Sequence, residues 1–356
     1  MDEAQPWDVD QMRERVGKRV NEFLAGQRDL LDSISPDAGA LLDPLSDFMA
    51  GGKRLRAMFL YWGWRAGGGP DHDSVVSAAA AMELLQACAL VHDDVMDRSD
   101  SRRGRASMHR QFSAQHHNAG WAGDSGEFGF ATAILIGDLC LSWADELLLG
   151  SGLPTDALQR GKPVYDVMRT ELMAGQYLDM LEQVRRNAEV APAMLVATYK
   201  SAKYTIERPL HLGAAMADAD PGVTDALRQY GLALGRAFQL RDDLLGVFGD
   251  PAETGKPSGD DLREGKRTVL IALALQELDD NGRRELSAGL DAPSASPPDV
   301  QRMRALVEST DARHEVERMI TDFAQSSRSA LTAPGLDPTV VSVLDALIDV
   351  ATRRVA

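Results

Sequence analysis

Positions 90–104 read LVHDDVMDRSDSRRG, which crowds Asp93, Asp94, Asp97 and Asp100 with Arg98, Arg102 and Arg103, and Arg105 follows. On a helix, Asp93 and Asp97 stand at i and i+4, so their carboxylates share a face with Cβ atoms about 5–6 Å apart. Like charges at that spacing cost a helix a few tenths of a kcal/mol, and more where a cleft excludes water. A divalent cation would offset that cost. Mg²⁺ takes oxygen ligands, keeps several waters, and is commonly held by one or two carboxylates plus substrate phosphates. Asp94 lies about 100° around the helix and is poorly placed to share that ion. Alone, the motif also fits a solvated helix end.

A second copy tells against that. FQLRDDLLGVFGD repeats the arrangement at Asp242 and Asp243, again after an apolar run. Two helix ends with paired aspartates would give opposed acidic walls. A diphosphate held between them through several Mg²⁺ ions satisfies every charge.

Basic groups accompany the acids. GGKRLRA places Lys53 and Arg56 at i and i+3, after a glycine pair able to expose backbone N–H groups. Arg102 and Arg103 offer donor forks matched to phosphate oxygens. Lys200, Lys256 and Lys266 are further candidates. TGKPSG lacks the G-x-x-x-x-G-K-[ST] spacing and is no P-loop. His92, His109, His116, His117 and His211 include no H-E-x-x-H or Cys/His frame, so each reads as structural or solvated. No nucleophile–base triad stands out.

The elements that must position these residues read as helices. SVVSAAAAMELLQACALVHDDVMD is apolar almost all round, as a central helix is. MRERVGKRVNEFLAGQRDLL, GFATAILIGDLCLSWADELLL, KPVYDVMRTELMAGQYLDMLEQV, PAMLVATYKSAKYTIERPLHLGAAMA and DALRQYGLALGRAFQLRDDLLGVF carry helical periodicity. No run alternates at strand spacing, so the fold is predicted to be all-α. WRAGGGPDHD, HHNAGWAGDSGEFG and SAGLDAPSASPPDV read as loops. No boundary splits the chain convincingly, and a single large helical domain over residues 1–356 is expected.

Composition agrees. The 356 residues are 44% hydrophobic and only 6% aromatic, which suits packed helices. A formal net charge of −16 argues against nucleic acid or an anionic membrane as partner. It leaves room for a small anion received by metal ions or a local basic cluster. Cys88 and Cys140, both in apolar stretches, fit buried thiols in a reducing cytosol. The acidic start MDEAQPWDVD is unlike a signal peptide, and charges interrupt the longest apolar runs, so no membrane span is expected and a cytoplasmic location is.

Together the motifs resemble those of the trans-isoprenyl diphosphate synthases, or polyprenyl synthetases. The likeness covers roughly positions 51–272 and rests on GGKRLR, LVHDDVMDRSDSRRG, GQYLD, KSAKYTIERPL, FQLRDDLLGVFGDPAETGKPSGDD and EGKRT, in that order. The resemblance implies an all-helical fold of the isoprenoid synthase type around a deep central cavity, usually as a homodimer. It implies condensation of isopentenyl diphosphate with an allylic diphosphate, with Mg²⁺ on Asp93, Asp97 and Asp242. Lys53, Arg56, Gln86 and Arg103 would hold the isopentenyl diphosphate. Arg102, Lys200 and Lys256 would hold the allylic diphosphate, with Lys266 closing over it and Ser201 and Gln239 lining the site. Gln86 and Ser201 stand where relatives often have His and Thr. The second acidic motif usually ends in a third aspartate, and here that position is Gly246. Asp242 must then carry that wall, helped by Asp243 or by Asp261 through water.

The first acidic helix is expected to line the tunnel of the growing chain, since one helical turn rises about 5.4 Å, close to one isoprene unit. Cys88 and Ala89 come first, then Leu85 and Met82. Relatives that stop at farnesyl often carry an aromatic at the Cys88 position. A small residue there points to geranylgeranyl diphosphate, with farnesyl diphosphate as the alternative. Two rivals remain: a terpene cyclase of the same architecture, and a non-catalytic partner subunit of a prenyl synthase. The cyclase would need neither GGKRLR nor a second acidic motif followed by TGK and GKRT.

Overall fold

The computed structural model describes residues 9–102, 104–186, 188–250, 259–292 and 295–352. They form seventeen α-helices, one π-helical segment and a minimal two-strand ladder, and divide into two compact units. Unit 1 is Met1–Gly161 with Gly213–Asp218, and unit 2 is Lys162–Leu212 with Ala219–Ala356.

Unit 1 contains α1 (Val9–Ile34), α2 (Pro36–Gly39), α3 (Leu42–Met49), α4 (Leu55–Ala66), α5 (Asp73–Met96), α6 (Met108–Ala119) and α7 (Ser125–Leu149). At its centre, α5 packs against α1, α4 and α7. Its all-round apolar sequence follows from that position: Val75 to Ala81, Leu84, Leu85, Ala87, Cys88 and Val91 are all buried. By length and hydropathy α5 could span a membrane, but most of it is buried inside the protein. The His72 ring starts the helix by accepting from the Ser74 N–H at 3.1 Å.

The unit boundary falls within α8 (Thr155–Arg185) and again within α10 (Arg208–Met216). Between them come α9 (Val190–Val196) and the π-helical segment Ala197–Glu207. The rest of unit 2 is α11 (Pro221–Phe248), α12 (Asp260–Arg263), α13 (Val269–Glu277), α14 (Asp280–Leu290), α15 (Pro297–Glu308), α16 (Ala312–Ala330) and α17 (Pro338–Thr352). Here α11 is central, packing on the π segment, α12, α13, α16 and α17. Leu240, Leu244, Val247, Leu262, Leu270, Leu286, Val307 and Ile320 form the core.

The sequence predicts one continuous helix where the structure has α9, the π segment and α10. Glycines explain how the wider π turn is accommodated. A Cβ on Gly235 would stand 2.5 Å from the Ala202 carbonyl oxygen, and one on Gly231 would stand 2.7 Å from Glu207 Cα. Only bare backbone on α11 lets the π segment so close. Two other expectations need correction. HHNAGWAGDSGEFG is mostly helical, with only residues 120–124 between α6 and α7, because Asp124 caps α7 by accepting from the Glu127 N–H at 2.8 Å. A ladder pairing Ser101 with Ala106 and Arg102 with Arg105 follows the first acidic motif, too short to leave a strand pattern.

Candidate active site

The first acidic motif is the C-terminal end of α5. Asp97 is its C-cap, and the Asp97 N–H donates to the Asp93 carbonyl at 2.8 Å. Asp93 and Asp97 are half-buried, and Asp94 is fully buried. A helix C-terminus carries partial negative charge, so three carboxylates there destabilise the helix unless cations arrive. The chain supplies one. Past the left-handed Arg98 (φ 54°), the ladder brings Arg102 back. Its Nε donates to Asp94 Oδ1 at 2.9 Å, its Nη2 donates to the same oxygen, and Nη2 lies 3.6 Å from Asp93 Oδ2. Asp100 instead accepts from Arg110 Nε on α6 at 2.7 Å. Of the four aspartates, Asp94 and Asp100 thus anchor local structure. Arg103 lies outside the described residues.

Also in unit 1, Lys53 is exposed and Arg56 half-buried at the start of α4. The helix begins only at Leu55, so Lys53 precedes it rather than sharing a turn with Arg56. Gln86, half-buried on α5, has a buried Oε1 with no hydrogen-bond partner.

In unit 2, Lys200 and Ser201 are half-buried in the π segment. Lys200 Nζ donates to Asp179 Oδ2 at 2.6 Å. A Cβ at Gly175 would stand 2.4 Å from the Lys200 backbone nitrogen. The GQYLD motif therefore acts twice on Lys200: Gly175 admits its backbone, and Asp179, one turn on, fixes its ammonium. Sequence reading missed Asp179 as a site residue. The signal was there, since Gly175 and Asp179 lie on one face of α8 at i and i+4.

The second acidic motif sits near the end of α11. Asp242 is half-buried and Asp243 fully buried. Gln239 Nε2 donates to Asp243 Oδ1 at 2.7 Å. Burial, reinforced by the charges of Asp261 and Asp242, pushes the Asp243 carboxyl up to about 8 despite that bond and nearby Lys266. Burial thus favours the protonated form of Asp243, which makes it a poorer metal ligand than a solvated carboxylate. A Cβ placed on Gly246 would stand 1.8 Å from Asp261 Oδ2. Asp261, on α12, thus occupies the space beside α11 where a side chain at 246 would lie. Lys266 Nζ donates to Asp261 Oδ1 at 3.3 Å and lies 2.6 Å from Glu264 Oε2. Within EGKRT, Arg267 is buried and donates to Asp291 at 2.7 Å, while Thr268 caps α13. Lys256 lies outside the described residues.

The donor set fits a hard divalent cation. Asp93 and Asp97 in unit 1, and Asp242 in unit 2, each offer carboxylate oxygens of the kind such an ion takes. Among the described residues no three His, Cys, Asp or Glu side chains are gathered tightly enough to enclose an ion. Mg²⁺ needs no such enclosure, since it is commonly held by one or two carboxylates and completes its shell with waters and substrate phosphate oxygens. Two of the histidines make structural contacts. His92 Nε2 lies 3.1 Å from the Ile134 carbonyl oxygen and its Nδ1 3.8 Å from Cys88 Sγ, and His109 stacks on Phe130 at 4.8 Å.

Comparison with known proteins places this arrangement in context. The family model for polyprenyl synthetase matches residues 39–307. A geranylfarnesyl diphosphate synthase of Aeropyrum pernix is 32% identical over 330 residues, covering 91% of this chain and 96% of the relative. A geranylgeranyl diphosphate synthase of Mycobacterium tuberculosis is 32% identical over 295 residues, covering 82% of this chain and 78% of the relative. Among solved structures, a geranylgeranyl pyrophosphate synthase from Corynebacterium glutamicum, complexed with isoprenyl diphosphate and magnesium, superposes with a TM-score of 0.95. It is 41% identical and covers 98% of this chain and 100% of its own.

Proposed function

This chain belongs to the polyprenyl synthetase family, and from that premise we propose how its residues divide the work of building a prenyl diphosphate. The protein is a prenyltransferase that joins isopentenyl diphosphate to an allylic diphosphate with the help of a divalent metal. The observation that carries the assignment of roles is the end of α5, where Asp93 and Asp97 concentrate negative charge at the helix terminus least suited to it.

In this reading Asp93, Asp97 and Asp242 are the residues that would hold the metal. The two units serve one domain spanning residues 1–356, because the motifs for one reaction are divided between them. Bound Mg²⁺, several ions per site, supplies charge stabilisation to the diphosphate as it leaves the allylic substrate. Arg102, Lys200 and Lys256 grip that diphosphate, and Lys266 closes over it. Asp94 and Asp179 aim Arg102 and Lys200. Lys53, Arg56, Gln86 and Arg103 hold isopentenyl diphosphate so that its double bond meets the allylic carbon, near Ser201 and Gln239. Apolar helices exclude water, which would quench the allylic cation. The departing diphosphate would take the final proton, since no side-chain base stands out among the described residues.

The product assigned is geranylgeranyl diphosphate. Cys88, Leu85 and Met82 are buried along α5 at successive turns, and a side chain as small as Cys88 would leave room for the tail. A homodimer is also proposed. On α7, Ile134 and Leu135 are 46% and 58% exposed, an apolar pair suited to a second copy. Two free buried cysteines fit a reducing cytoplasm.

The test is product analysis of the purified chain with isopentenyl diphosphate and dimethylallyl, geranyl or farnesyl diphosphate. Turnover is expected with Mg²⁺ and none with excess chelator. Asp97→Ala should lose most turnover with helicity intact by circular dichroism; near-normal rates would refute the metal assignment. Cys88→Phe should shorten the product, and an unchanged product would remove the tunnel assignment.

A further inference from the structure

We propose that the buried Arg54–Glu83 ion pair is the positioning element of the isopentenyl diphosphate site. It docks the loop that carries Lys53 and Arg56 onto the face of α5 that carries Gln86. The proposal rests on the site assignment above and deepens it.

Four observations converge on it, all within unit 1. Arg54 has φ 54° and ψ 32°, a left-handed conformation that a residue with a Cβ adopts only when its surroundings impose it. Its side chain is buried between two charged neighbours in the sequence that are not: Lys53 is exposed and Arg56 half-buried. Arg54 Nη1 donates to Glu83 Oε2 at 2.9 Å, and Nη2 donates to the Met49 carbonyl at the end of α3. One guanidinium thus ties α3, α4 and α5 together. Finally, Glu83 and Gln86 stand at i and i+3 on α5 and share a face.

A buried ion pair is weak evidence for stability, because desolvation offsets much of the attraction. Its better-attested use is to fix one arrangement among several. Here the alternatives are concrete. With Arg54 turned outward, its two basic neighbours would rotate with the backbone and leave the Gln86 face. Among the described residues the start of α4 also has no side-chain cap, and the partial positive charge of a helix N-terminus favours an anion there. The pair therefore acts through Lys53, Arg56 and Gln86, without touching substrate.

Steady-state kinetics of folded variants tests this, with both substrates varied in turn. Glu83→Gln keeps shape and removes the charge. Arg54→Gly keeps the left-handed backbone without strain and removes the pair. Each is expected to raise the KM for isopentenyl diphosphate at least tenfold, leaving the KM for the allylic substrate and the saturated kcat within about twofold. Arg54→Lys, which retains a cation, should recover part of that loss. A purely structural pair would lower the melting temperature and leave the ratio of the two KM values unmoved, and that result overturns the proposal. A parallel rise in both KM values overturns it too. Failure of the wild-type chain to condense isopentenyl diphosphate would instead sink the functional reading beneath it.

Discussion

Asp261 sets its carboxylate where a side chain on Gly246 would stand, with Oδ2 at 1.8 Å from the position of a Cβ. Relatives commonly carry an aspartate at the position of Gly246. The physical account is a relocation of charge: the carboxylate missing from α11 is offered from α12. Asp261 also lies close enough to Asp243 for its charge to help raise the Asp243 pKa. A double-mutant cycle examines this at the scale where it belongs. Asp261→Ala is expected to raise the Mg²⁺ concentration for half-maximal turnover about tenfold. Adding Gly246→Asp should recover part of the loss, since the new carboxylate takes the vacated space. In the wild-type background Gly246→Asp should bring no gain, because the Asp261 side chain must first turn aside. Additive effects of the two substitutions would show that the residues do not share a role.

At the scale of elements, the placement of Lys200 depends on a helix of unusual pitch lying close to its neighbours. The π segment meets α8 at Gly175 and α11 at Gly231 and Gly235, in each case backbone against backbone. Such contacts leave no flexible side chain to yield. Gly175→Ala puts a methyl group 2.4 Å from the Lys200 nitrogen, so the π segment must shift. Overpacking of this kind typically costs about 1–3 kcal/mol. The expected signature is a lowered melting temperature with a raised KM for the allylic substrate. The KM for isopentenyl diphosphate should change little, because Lys53, Arg56 and Gln86, assigned to it, lie in unit 1, just before α4, on α4 and on α5. A melting temperature and allylic KM both equal to wild type would remove the close-packing account. Nothing local declares such a contact: a glycine in a helical pattern is compatible with close approach, a kink or mere tolerance.

Across the whole molecule, buried titratable groups set the pH range of stability. His211, at the start of α10, is buried, and its Nε2 lies 3.2 Å from the Thr224 carbonyl oxygen. Burial first, then the charge of Arg208 with help from Arg228 and Lys203, lowers its pKa to about 4, although the Thr224 bond opposes the shift. Glu207 Oε1 stands 3.5 Å from its Nδ1, and burial raises that carboxyl above its ordinary range. The unfolded chain takes up the histidine proton near pH 6.5, and the folded chain only near pH 4. Below 6.5 the unfolded state therefore binds more protons, and stability falls with pH through that window by roughly 3 kcal/mol. Thermal melts of metal-free protein from pH 7 to pH 4.5 should show the decline. His211→Gln should flatten it, and an unchanged slope would assign the acid sensitivity to other groups.

Much of this protein was legible in its residues. Apolar periodicity marked α1, α5, α7, α8 and α11, because helix burial repeats every few residues and so is written locally. Asp93, Asp97, Asp242 and Lys53 stood out as candidates because charge in an apolar helix or beside a glycine pair breaks a local pattern, whereas Lys200 was given a role only by the family resemblance. The packing alone decided that Arg54 reaches Glu83 across 29 positions, that Asp179 holds Lys200, that Asp261 stands against Gly246, and that residues 197–207 widen into a π turn. Those partners lie on different elements, and an ion pair or a close approach between separate helices leaves no periodic trace in either of them. Its existence depends on where the helices dock, which is fixed by the fit of whole faces rather than by any neighbouring residue.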